Sequence, residues 1–93
     1  MNEEALYAVL TAALADYRPN GGPDTKRWAR FLALRYGHRL LTLREVAELD
    51  GTSIPNISLT ETRAVSVLRQ PDRLRHVLER IDNTPLRAVL LHD

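Results

Sequence analysis

Ninety-three residues suffice for one small domain and are too few for two. The absence of cysteine excludes disulfides and thiolate metal sites. No apolar run approaches the ~20 residues that a membrane span needs. The acidic opening MNEEALYAVL lacks the basic start of a signal peptide, so a soluble, cytoplasmic protein is expected. The net charge of +1 conceals an asymmetry: residues 1–23 sum to −2, residues 24–80 to +4 and residues 81–93 to −1. A basic middle is compatible with nucleic acid, because local charge sets phosphate attraction. It is equally compatible with an ordinary solvated helical surface.

In chain order, the segment EEALYAVLTAALADY carries apolar side chains at Leu6, Val9, Leu10, Ala13 and Leu14 with acids in its first turn, the signature of an amphipathic helix. It ends at RPNGGPD, the one Pro/Gly-rich stretch and the natural hinge. TKRWARFLALRYG sets Trp28, Phe31, Leu32 and Leu34 at helical intervals, with Gly37 expected as a left-handed C-cap. These aromatic residues and Tyr36 are expected to fill a core, the alternative being a partner groove. In TLREVAEL, Thr42 and Glu45 form a capping-box pattern, and Val46, Ala47 and Leu49 are the expected buried face.

Ser53 is the expected N-cap of the next helix, with Pro55 tolerated in its first turn. That helix should run to about Arg69 and stop at QP. DRLRHVLERI predicts a further helix from Asp72. TPLRAVLL predicts a short last one, with Thr84 as cap and Pro85 behind it. No repeat and no alternating strand pattern interrupts this series. The prediction is an all-α fold, a small helical domain of about five or six helices. It comprises an N-terminal helix and hinge (1–23), a core (24–80) and a short C-terminal helix (81–93).

The stretch 41–65 has the layout of a helix-turn-helix. Such a motif wants a small residue where two helices cross closely, a glycine at the turn and a branched apolar residue in the second helix. Ala47, Gly51 and Ile57 stand at those places.

The likeness extends further. LRYG, TLREVA, Gly51 and AVSVLRQP follow one another in the order found in region 4 of the bacterial housekeeping RNA polymerase sigma factors, and the chain resembles that family over residues 26–80. Ile57, Glu61, Arg63, Ala64, Leu68, Arg69 and Pro71 match it in kind or identity, and PDRLRHVL is similar to the basic tail behind the family's recognition helix. The resemblance implies a promoter-binding module that also docks on the flap of the polymerase β subunit. The chain departs from the family where bases are read, with Ile54, Pro55, Ser58 and Leu59 in place of polar and charged side chains. Ile54 and Leu59 cannot make bidentate base contacts, and Pro55 lacks a backbone donor.

Helical geometry assigns Ile57, Thr60, Ala64, Val65 and Leu68 to the buried face. Leu59, Thr62, Arg63 and Ser66 then lie opposite, with Val67 at the edge. Leu59 and Val67 outside would need a cover, either PLRAVLL of the same chain or another protein.

Catalytic and cofactor chemistry find no support. His38, His76 and His92 have no metal-ligand spacing, Glu48 and Asp50 read as surface and cap charges, and no phosphate loop or nucleophile motif occurs. No enzyme, cofactor or membrane partner is expected. Two expectations follow. The first is a transcription regulator holding phosphates with Arg35, Arg39, Arg44, Arg63 and Arg69 and approaching bases with Asn56, Ser58, Leu59 and Thr62. The second is a protein-interaction module that binds RNA polymerase, through its β flap, or a sigma factor, without reading DNA sequence.

Overall fold

The computed structural model describes residues 2–18 and 24–92, and these are mostly helical, with no strand among them. Six helices follow in order: α1 (Glu3–Leu14), α2 (Thr25–Tyr36), α3 (Leu43–Asp50), α4 (Ile54–Leu68), α5 (Pro71–Arg80) and α6 (Thr84–Leu91). The expected hinge at 19–23 lies outside the described residues.

Helix starts follow local chemistry. Asn2, Asp24, Thr42, Ser53 and Asn83 each accept a backbone N–H with the side chain, satisfying one of the donors a helix N-terminus leaves open. Thr42 and Glu45 close a reciprocal capping box at 3.1 and 3.0 Å. The last cap differs from expectation. Asn83 rather than Thr84 starts α6, because its Oδ1 accepts from Leu86 N at 2.8 Å while its Nδ2 donates to the Tyr36 carbonyl at the end of α2. One side chain thus starts α6 and ties it to α2.

α1 lies mainly on α2 and also meets α5, while α4 touches α2, α3, α5 and α6. The core runs through Leu6, Leu10 and Leu14 of α1, Phe31 and Leu32 of α2, and Val46 and Ala47 of α3. It continues through Ile57, Ala64 and Leu68 of α4, Val77 of α5, and Leu86 and Leu90 of α6. Burying each large aliphatic side chain contributes roughly 1.5–3 kcal/mol, and α6 supplies two such anchors although it is only eight residues long.

Several sequence expectations are corrected. α1 ends at Leu14, and Tyr17 leaves it through a turn to meet Trp28, ring centroids 5.9 Å apart. Gly37 is extended (φ −75°, ψ −168°), not left-handed. A Cβ there would stand 2.4 Å from the Ala33 carbonyl oxygen and 2.8 Å from Glu3 Cγ, so the backbone of the last turn of α2, with Glu3 of α1 beside it, explains the glycine. The positive φ in this connection belongs to Leu40 (49°), unusual for a large side chain. Leu49 is 66% exposed instead of buried, and Val67, at 7%, joins the core. Thr60 is only half-buried. Gly51 is left-handed as expected (φ 68°, ψ 32°) and ends α3.

Candidate nucleic-acid and partner-binding surface

α3, the turn 51–53 and α4 present one continuous surface. The left-handed Gly51 redirects the chain, its N–H donating to Glu48 O at 3.3 Å while Thr52 N reaches Ala47 O at 3.0 Å. Ser53 then restarts the helix. Ile57, Ala64, Val65 and Leu68 face the core. Ile54, Pro55, Asn56, Ser58, Leu59, Thr62, Arg63 and Ser66 are exposed, and Leu59 at 48% has no cover from α6. The pair expected to share a cover is therefore split: Val67 is buried and Leu59 is not.

The nine residues singled out in the sequence fall into two groups. Arg44, Asn56, Ser58, Leu59, Thr62 and Arg63 lie exposed on α3 and α4. Arg44 and Arg63 make no ion pair or side-chain hydrogen bond among the described residues, which leaves their guanidinium groups available. The Asn56 amide donates to Thr52 Oγ1 at 3.2 Å, and the Thr62 hydroxyl donates back to the Ser58 carbonyl at 3.1 Å, a local bond common for helical Ser and Thr.

The remaining three arginines are engaged within the fold. Arg35 donates Nη1 to the Leu41 carbonyl at 3.1 Å and stands with Nε 3.6 Å from Glu61 Oε1, in a half-buried cluster with Tyr36. The Tyr36 hydroxyl donates to Glu61. Burial, and then the neighbouring Glu61 carboxylate, pushes the Tyr36 phenol well above its ordinary value. Arg39 grips Glu3 with two bonds of 2.5 and 2.9 Å, and those bonds hold the Glu3 carboxyl below the usual range. Arg69 donates to carbonyls at the end of α6 and its cap, Nε to Leu90 at 3.2 Å and Nη2 to Val89 and His92 at 2.7 and 2.5 Å. Sequence position alone made these three look like phosphate ligands; the folded chain uses each one internally.

A second feature had no sequence forecast. An open groove of about 500 Å³ runs between the first four helices, with Tyr7, Phe31, Leu34, Val46 and Ile57 along it and Leu49 at its edge. Its charged rim includes Glu4 and Arg30, both exposed, and the Arg27–Asp50 ion pair that joins α2 to α3. Nothing in the sequence set Leu49 apart from the Val46–Ala47 face, since it lies three residues after Val46, and the shape depends on helices far apart in sequence. Among the described residues no cluster of His, Asp and Glu could hold a metal ion.

The molecule is thus an all-α domain of six described helices in which the outer face of α4 and an apolar groove between the first four helices are exposed. Comparison with protein-family models, curated proteins and solved structures finds no match for this chain. No helix among the described residues is long and apolar enough to cross a membrane.

Proposed function

We propose that the chain is a transcription regulator of the sigma region 4 kind, acting at promoters through DNA and RNA polymerase contacts, with α3 to α4 working as a helix-turn-helix. The observation that carries this reading is the uncovered face of α4 directly after the left-handed Gly51. A helix of 15 residues, about 22 Å long at ~1.5 Å per residue, fits the major groove, which admits one α-helix. On its free face only Asn56 has the paired donor and acceptor that recognises adenine. Leu59 offers an apolar contact for a thymine methyl. Attraction by Arg44 and Arg63 therefore dominates, and affinity falls with salt at about 0.9 log units per phosphate contacted for each decade.

A specific observation also favours the second reading, a module that binds RNA polymerase or a sigma factor without reading sequence. The groove edged by Leu49 offers an apolar seat, and Arg35, Arg39 and Arg69 are spent inside the fold. An amphipathic helix of the partner would seat its apolar face there.

Fluorescence anisotropy of the chain with labelled promoter and scrambled duplexes over a salt series, alongside a polymerase pull-down, tests both. Salt-sensitive binding with weak sequence preference supports the regulator on DNA. Polymerase capture that Leu49→Glu abolishes, with no duplex binding, leaves the interaction module. Neither activity would refute both.

A further inference from the structure

Arg69 is the C-cap that follows α4, and the end of α6 is fastened to it. The last turn of α6 contains no basic side chain, and its terminal carbonyls find their donors in Arg69, which serves Val89, Leu90 and His92 at once. Those bonds are distributed unevenly over the guanidinium. Nε is committed to one carbonyl and Nη2 to two, so both Nη2 hydrogens are in use. A phosphate held in bidentate fashion needs two adjacent donors of the planar fork, either Nε with Nη2 or Nη1 with Nη2. Both choices require Nη2. While α6 is docked, no bidentate pair is open.

We infer that α6 is a latch: its C-terminal turn occupies the phosphate-binding edge of Arg69, and release of that turn switches Arg69 from an intramolecular cap into an anion ligand. The inference rests on the DNA reading above and concerns its regulation. The design of α6 suits the role. Its start is fixed, since Asn83 is buried, caps the helix and holds the Tyr36 carbonyl. Arg87 adds a bond to the Leu78 carbonyl of α5 at 2.9 Å. At its far end Leu91 and His92 are exposed, and the Arg69 bonds are the polar fastening there. Detachment of the C-terminal turn withdraws the buried Leu90 from the core as well as breaking the Arg69 bonds, and it leaves the N-terminal anchor at Asn83 in place. The free face of α4 at Asn56 to Arg63 stays open in both states, so the latch adjusts affinity without blocking docking.

The test compares the intact chain, the chain lacking residues 84–93, and Arg69→Ala in each, by anisotropy with one labelled duplex over a salt series. The latch expects Arg69→Ala to leave the salt slope of the intact chain unchanged. The truncated chain should have a slope steeper by about one unit, an extra loss of about 3.5-fold in affinity between 50 and 200 mM salt, and Arg69→Ala should remove that increment. Because truncation also removes Leu86 and Leu90 from the core, amide exchange at Leu90 and Leu91 is followed in the intact chain as well. Faster exchange there in Arg69→Ala than in the parent chain, both free of duplex, supports the latch. Exchange that Arg69→Ala leaves unchanged overturns it while the DNA reading stands, as does a slope that Arg69→Ala lowers in the intact chain. If no duplex binds to intact or truncated chain, the DNA reading fails and the latch with it.

Discussion

Replacing Gly51 separates backbone strain from packing unusually well. The residue sits at φ 68° and ψ 32°, and a Cβ added there meets nothing within 4 Å. No clash contributes, so the cost is conformational. Left-handed backbone costs an L-residue roughly 1–2 kcal/mol, and loss of glycine freedom in the unfolded chain returns about 0.4–1 kcal/mol. Gly51→Ala should therefore destabilise by about 0.5–1 kcal/mol. Valine, branched at Cβ, should cost about 1.5 kcal/mol. For a domain of this size that corresponds to a fall in Tm of roughly 6–12 °C. Asparagine, which tolerates the left-handed region, should be the mildest of the three. Thermal melts followed by far-UV circular dichroism, with urea titrations for free energies, give the order. An unchanged Tm for Gly51→Val, or an asparagine variant as damaged as the valine one, would refute the strained turn and with it the α3–α4 geometry.

Gly37→Ala should destabilise for the opposite reason. Its backbone is unstrained, but the new Cβ meets the Ala33 carbonyl and Glu3, so overpacking of about 1–3 kcal/mol is expected in the same urea titrations. Tyr36, whose phenol is raised by burial and by Glu61, should make stability fall at alkaline pH. The unfolded phenol ionises near pH ~10 while the folded one keeps its proton, so the stabilisation is complete below that pH and lost above it. Tyr36→Phe should flatten the decline in melts above pH ~10. Arg63→Ala should lower the salt slope of DNA binding by about one unit for every duplex alike, measured by anisotropy; a sequence-selective loss would mean that Arg63 reads a base.

What the sequence disclosed was decided within a few residues. The Thr42–Glu45 box, the Ser53 cap and the Gly51 turn each depend on neighbours three or four positions away, and each stands where the pattern predicts. Asn83 and Thr84 are both competent caps side by side, and a tether to Tyr36, distant in the chain, selects between them. Gly37 invited a left-handed reading because helix ends commonly use glycine that way, whereas its reason is the crowding of its Cβ position by the Ala33 carbonyl and Glu3. Leu49 and Val67 exchanged their expected environments because burial depends on which helix lies opposite. The exposed candidates on α4 were legible from helical periodicity. The commitments of Arg35, Arg39 and Arg69 were not, since their partners lie in the α2–α3 connection, α1, α4 and α6.

The sequence contains twelve arginines and a single lysine, and the structure gives this imbalance a consequence. Arg35, Arg69, Arg73 and Arg87 each donate to a main-chain carbonyl outside their own helix, and Arg73 reaches Asp16 and Gln70 as well. A compact ammonium on a flexible stem cannot span such acceptors with a rigid fork. Lysine at these four positions would preserve formal charge and mean isoelectric behaviour yet loosen the joints between helices. In this molecule arginine content is partly a measure of mechanical coupling, and a charge-conserving exchange is not a conservative one.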